Sequence, residues 1–253
     1  MKRMLDLFSG IGGFSLAGKW TGGIKTIAFC EIDKFCQKVL NKNFPGIPIF
    51  DDIKNLKGDE FGAVDIITGG FPCQDISSAG KRKGLRGEKT GLFFEMLRII
   101  EETKPKWIIY ENSPLIVNNG LNEIHKNLKR IGYVNIGFKI SAREFGFPHK
   151  RIRYYGVSVA DSNGLGWNAL EIFIREFYKI KQSEIQLQTR KNKTKFSGTF
   201  SDSLCTPTNS DILRGFNGVP SELYRNRIKA LGNAIVPQIA YIILKSILEI
   251  KEM

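Results

Sequence analysis

The chain has 253 residues and a 42% hydrophobic fraction, which suits one large domain or a large domain with a small insert. Four cysteines without a Cys-x-x-Cys pair and only two histidines argue against a metal site. The lack of a leader or a membrane-length apolar run points to the reducing cytoplasm and away from a membrane. A net charge of +13 and a pI near 9.6 favour a polyanionic partner, because neutralising phosphates releases counterions.

Arg3 to Phe8 reads as a first strand, Ser9-Gly10-Ile11-Gly12-Gly13 as a tight turn, and Phe14 to Ala17 as the start of a helix. Strand, glycine turn and helix let backbone N–H groups approach a nucleotide. The Gly-x-Gly-Gly spacing is not the dinucleotide fingerprint, and many α/β crossovers carry such a turn. Thr26 to Cys30 reads as the second strand, with Glu31 at its end. A carboxylate roughly twenty residues beyond the glycines suits ribose hydroxyls, or else opens the next helix. Asp33 to Leu40 reads as that helix, and Asp51-Asp52-Ile53 closes a third strand. Asp52 there is either an acceptor for an adenine amino group or a turn aspartate.

Val64 to Thr68 is a short apolar strand, broken by Gly69-Gly70 and followed by Phe71-Pro72-Cys73-Gln74. Pro72 fixes its own φ and restricts Phe71, so Cys73 is held on a constrained loop at a strand end, where a nucleophile belongs. A buried core thiol is the competing reading. Lys81, Arg82, Lys83, Arg86 and Lys89 follow against Glu88 alone. They would favour a thiolate, or form a solvated loop. Leu92 to Glu102 has amphipathic helical spacing, and Trp107 to Tyr110 is a strand ending in Glu111-Asn112-Ser113-Pro114. Glu111 can face the same crevice as Cys73 and, if buried, be held protonated as an acid; a salt-bridged or capping glutamate is the alternative. Leu121 to Ile131 is a helix stopped by Gly132, Tyr133 to Ala142 a strand, and His149 to Val157 a returning strand. In a strand Arg151 and Arg153 share one face, able to fix a carbonyl or phosphate or to lie on an exposed edge.

From Ala160 to about Gly218 the βαβ alternation stops. Arg175, Lys179, Lys181, Arg190, Lys191, Lys193 and Lys195 interleave with Phe173, Phe177, Tyr178 and Phe196. This reads as a small inserted domain with a nucleic-acid-facing surface, or as a linker. Arg227 to Pro237 restores the α/β pattern, and Gln238 to Lys251 reads as a terminal helix.

Together these motifs resemble the cytosine-C5 DNA methyltransferases, in the family's order from Leu5 to Leu244. The resemblance implies an α/β fold: a doubly wound, Rossmann-like sheet at residues 1–159 and 219–253, with a target-recognition domain at 160–218. It implies S-adenosylmethionine held by Phe8, Ser9, Gly10, Gly12, Glu31, Ile32, Asp52, Ile53, Pro72, Leu92, Asn233 and Ala234. The partner it implies is double-stranded DNA, met by a monomer, with any cognate restriction endonuclease undetermined. Cys73 would attack C6 of a flipped cytosine, Glu111 would contact N3, and Arg153 would hold O2 with Arg151 in support. His149 and Ser113 depart from the usual glutamine and valine, and Ser210-Asp211-Ile212-Leu213-Arg214-Gly215 matches its motif only loosely. The compact form resembles stand-alone enzymes of bacteriophages and prophages. An RNA-methylating relative of the same fold, an inactive DNA-binding homologue and a nicotinamide oxidoreductase are the competing classes.

Overall fold

Alternating apolar runs and glycine or proline stops resolve into strands and helices in a computed structural model that describes residues 1–72, 91–145, 147, 150–195 and 221–250. The first half comprises β1 (Lys2–Leu7), α1 (Gly13–Thr21), β2 (Ile24–Cys30), α2 (Lys34–Asn43), β3 (Ile49–Phe50), β4 (Ile66–Gly69) and α3 (Leu92–Thr103). It continues with β5 (Trp107–Asn112), α4 (Ile116–Asn119), α5 (Leu121–Arg130), β6 (Tyr133–Ser141) and β7 (Ile152–Ala160). Three helices complete it: α6 (Gly166–Lys195), α7 (Ser221–Asn233) and α8 (Pro237–Leu248).

The sheet runs β3-β2-β1-β4-β5-β7-β6. Pairing is parallel from β3 to β5, while β7 lies antiparallel between β5 and β6. Strand order reverses between β1 and β4, which opens a crevice beyond their carboxyl ends. Side chains alternate across the sheet. Met4, Ile66, Ile109, Tyr155 and Val157 pack with Phe14 and Ala17 of α1 and with Ile239 and Ile243 of α8. Leu5, Leu7, Ile67, Ile108 and Tyr110 pack on the other face with Phe93, Met96 and Leu97 of α3 and with Ile124 and Leu128 of α5. The Tyr110 and Tyr154 rings lie over Gly156 and Gly137, where an added Cβ would overlap them.

Four expectations change. The third strand ends at Phe50, because the Asp52 carboxylate accepts from Lys54 N at 3.0 Å and caps a 3₁₀ turn over Ile53–Asn55. Strand β7 starts at Ile152, so Arg151 precedes it, and His149 lies outside the described residues. Aromatic residues of the segment expected to face nucleic acid are buried instead. Helix α6 lays Ala169, Leu170, Phe173 and Phe177 in the core beside β6, β7 and α8, so Phe173 and Phe177 do not face nucleic acid. Finally, among the described residues Arg225–Leu248 is long and apolar enough to cross a membrane. It is two helices broken before Pro237, and Ile239, Ala240, Ile242 and Ile243 fill the core.

Candidate active site

The turn after β1 is set by backbone conformations that favour glycine. Gly10 and Gly12 have φ of +55° and +84°, and Phe8 itself sits at +51°, a rare place for a bulky residue. Gly12 N donates to Ser9 O at 2.9 Å, and Ser9 N donates to Cys30 O at 3.1 Å, tying the turn to the end of β2. Glu31 follows that strand. Its carboxylate accepts from Gly10 N at 2.6 Å and from Asp33 N at 2.8 Å. Burial raises its pKa, while those two N–H groups pull it down. Ile32 beside it is 70% exposed, an apolar surface at the mouth of the crevice.

Asp33 caps α2 by accepting from Phe35 N and Cys36 N, and its other oxygen meets Lys229 Nζ of α7 at 2.7 Å. The Lys229 hydrogen bond holds the Asp33 carboxyl below its ordinary range. Asp52 and Ile53 stand past the end of β3, and Leu92 opens α3 half-buried. Arg98 of α3 donates to Ile53 O at 2.8 Å and Leu56 O at 2.9 Å, which fixes the Asp52 turn. Asn233 ends α7 exposed, with Ala234 after it. A Cβ on Gly13 would come 2.5 Å from Ile235 Cγ1, so only glycine lets the turn approach this closing segment. The cofactor-binding set expected from sequence thus gathers at one end of the sheet.

Beneath the turn lies an acid that sequence reading passed over. Asp6 is buried in β1 and accepts from Ser15 Oγ at 2.6 Å and Thr68 Oγ1 at 2.9 Å; Thr26 Oγ1 donates to Ser15 Oγ at 2.9 Å. Burial pushes its pKa up to about 7 against these hydrogen bonds. An aspartate set among Met4, Leu5 and Leu7 was the available signal. Lys229, Arg98 and Asp33 were likewise missed; of these only Asp33, ahead of a helical run, carried a recognisable cap pattern.

The second cluster is at the ends of β4, β5 and β7. Glu111 pairs with Tyr155 across the β5–β7 ladder, and Arg153 lies two residues along the same face. Arg153 Nε is 2.8 Å from Glu111 Oε1. Among the described residues that oxygen has no well-aligned hydrogen-bond donor, so the contact acts chiefly through charge. Burial raises the Glu111 pKa to about 7, and Arg153 and then Arg151 oppose the shift. Arg151 itself donates to Gly232 O and Ala234 O. On the opposite face Asn112 Nδ2 donates to Phe71 O at 3.1 Å, and the Phe71 ring packs on Phe93 and Tyr110. A Cβ on Gly70 would stand 3.6 Å from Glu111 Oε2. The loop carrying Pro72 therefore leaves β4 beside Glu111. Cys73 and the basic residues Lys81 to Lys89 lie outside the described residues.

A buried carboxyl half-protonated near neutral pH can give or hold a proton, and the guanidinium beside it can face a carbonyl oxygen. A family model described as "C-5 cytosine-specific DNA methylase" matches residues 2–225. Type II methyltransferase M2.BsuMI of Bacillus subtilis is 39% identical over 159 residues, 60% of this chain and 40% of that protein. Type II methyltransferase M.HhaI of Haemophilus parahaemolyticus is 34% identical over 157 residues, 60% of this chain and 47% of that protein. The chain spans about half the length of the curated relatives it matches. A mutant DNMT2 from Spodoptera frugiperda superposes with a TM-score of 0.55 at 25% identity, over 64% of this chain and 51% of that one. A putative DNA modification methyltransferase encoded in an Escherichia coli prophage superposes with a TM-score of 0.54, also at 25% identity, over 64% and 47%.

Proposed function

The chain belongs to the C-5 cytosine-specific DNA methylases, and from that premise we propose that it is a DNA (cytosine-5-)-methyltransferase using S-adenosylmethionine. The observation that carries this is the buried Glu111 beside Arg153, with Asn112 bonded to the carbonyl of Phe71 two residues before Cys73. The cofactor fits the other cluster. Glu31 keeps lone pairs free for ribose hydroxyls, Ile32 offers an apolar surface, and the Phe8–Gly12 turn and Asn233–Ala234 bound the crevice. Asp52, whose Oδ1 accepts from Lys54 N, would offer its other oxygen to an adenine amino group. S-adenosylmethionine supplies an electrophilic methyl group.

The chain's own residues make the base reactive. The Cys73 thiolate adds to C6 of a cytosine flipped from the duplex, at a cost of a few kcal/mol for unstacking. Glu111 shares its proton with N3, and Arg153 faces O2, so negative charge does not build on the ring. C5 would thereby become nucleophilic enough to bond the methyl group as its bond to the sulfonium breaks, the leaving group being a neutral thioether. Loss of the C5 proton, departure of the Cys73 thiolate and return of the N3 proton to Glu111 would complete the turnover. Double-stranded DNA is the substrate, with basic residues toward the end of α6 as phosphate contacts. We place the protein in the cytoplasm, acting as a monomer. Duplex DNA carrying 5-fluorocytosine at the target should trap a covalent complex in the presence of S-adenosylmethionine, since fluorine does not leave as a proton does. Cys73→Ser should abolish it. A complex that persists in Cys73→Ser overturns the assignment.

A further inference from the structure

We infer that Arg151 is a positioning residue for the cofactor-binding segment, acting through Asn233, rather than a second contact to the base; this rests on the proposed cofactor site. Arg151 Nη1 lies 2.5 Å from Gly232 O and Nη2 lies 2.8 Å from Ala234 O. The two carbonyls flank Asn233, so one guanidinium straddles the residue expected at the cofactor. Gly232 is in the last turn of α7 and Ala234 in the link before α8, and the last carbonyls of a helix lack partners within it. The planar fork of an arginine can satisfy two acceptors at once; a lysine ammonium is a single point of charge.

The fork is committed to this task. Among the described residues Arg151 Nε is buried without a hydrogen-bond partner, so within them the side chain gains nothing at its stem that would compensate for leaving the two carbonyls. Strand β7 begins one residue later, which frees Arg151 from the alternation that sends Arg153 to Glu111. From the other side, the Ile235 side chain fills the gap above Gly13 of the glycine turn. Arg151 and Ile235 thus pin the segment at two points, one beside the catalytic carboxyl and one at the cofactor turn.

The test is cofactor affinity in the absence of DNA, measured by calorimetry on the full chain. Arg151→Ala should weaken S-adenosylmethionine binding at least tenfold, and Arg151→Lys should fall between it and the unaltered chain. A purely structural role would lower affinity through global destabilisation, so Asn233→Ala and the double variant are measured with thermal unfolding of each. Because Arg151 acts through Asn233, the double variant should bind no more weakly than Asn233→Ala alone by more than about twofold. Additive losses, or an Arg151→Ala affinity within twofold of the unaltered chain, overturn the inference. Absence of binding by the unaltered chain overturns the proposed function and this assignment with it.

Discussion

Glu111 is 7% exposed, and its Oε1 lies 2.8 Å from Arg153 Nε. Burial and the arginine pull in opposite directions, and burial prevails, leaving the pKa about 7. The protonated form is therefore the one present below neutrality. If that proton is shared with the base, single-turnover methylation should fall on the Glu111 limb as pH rises through about 7. Glu111→Gln should cost roughly 10²–10⁴-fold in turnover, the range for a positioned acid or base, while leaving cofactor affinity near normal. Arg153→Ala removes the charge that lowers the pKa, so its limb should move to higher pH. A limb that moves to lower pH would count against this pairing.

Asp6 gives a separate pH dependence, in stability. Its folded pKa, about 7, lies above its ordinary value of 3.8. The protonated carboxyl is thus favoured by folding. The stabilisation is complete below the unfolded pKa and is lost as pH rises through about 7, with a size of order a few kcal/mol. Glu111 adds in the same direction. Calorimetric melting should show a Tm that falls from about pH 4 to about pH 7 and levels off above that. Asp6→Asn should flatten that fall, since its amide cannot ionise yet still reaches Ser15 and Thr68.

Glu31 answers to a different measurement. Its carboxylate holds Gly10 N and Asp33 N at 2.6 and 2.8 Å. Glu31→Ala leaves both donors unpaired and removes the proposed ribose acceptor, so affinity for S-adenosylmethionine should drop more than tenfold. Turnover at saturating cofactor should change far less than in Glu111→Gln. Calorimetry and kinetics giving the reverse ranking would exchange the two roles.

Gly156 is predicted to be irreplaceable while Tyr110 is present. The Tyr110 ring occupies the space a Cβ would need. Gly156→Ala should therefore destabilise by roughly 1–3 kcal/mol, the usual cost of overpacking. In a Tyr110→Leu background the same change should cost much less, a coupling that urea unfolding of the four proteins would reveal.

The gathering of the expected residues at one edge was legible because parallel strands deliver their loops there, and Glu31 and Glu111 stand where apolar runs stop, whereas Asn233 was picked out by the family resemblance. The division of Arg151 from Arg153 was not legible. A period of two puts them on one face only if both lie in the strand, and β7 starts between them. Phe173 and Phe177 misled for another reason. Basic residues interleave with them, but Ala169, Leu170, Phe173 and Phe177 have the spacing of a buried helical stripe. That period was present in the sequence and outweighs the local charge. Asp6 was hidden because alternation says nothing about what a buried carboxyl can bond.

Helix α6 has a consequence for how target choice can be exchanged between relatives. Its first turns belong to the core, and further along Lys181 still pairs with Glu144 and lies over the Phe145 ring. A recombinant that joins foreign sequence at residue 160 would replace Phe173 and Phe177 and should lose its catalytic sheet along with its old specificity. A seam placed after Ile185 keeps those residues native. If the proposed function holds, recombination that retargets the protein has to join its foreign sequence after the buried turns of α6 rather than at the loop before them.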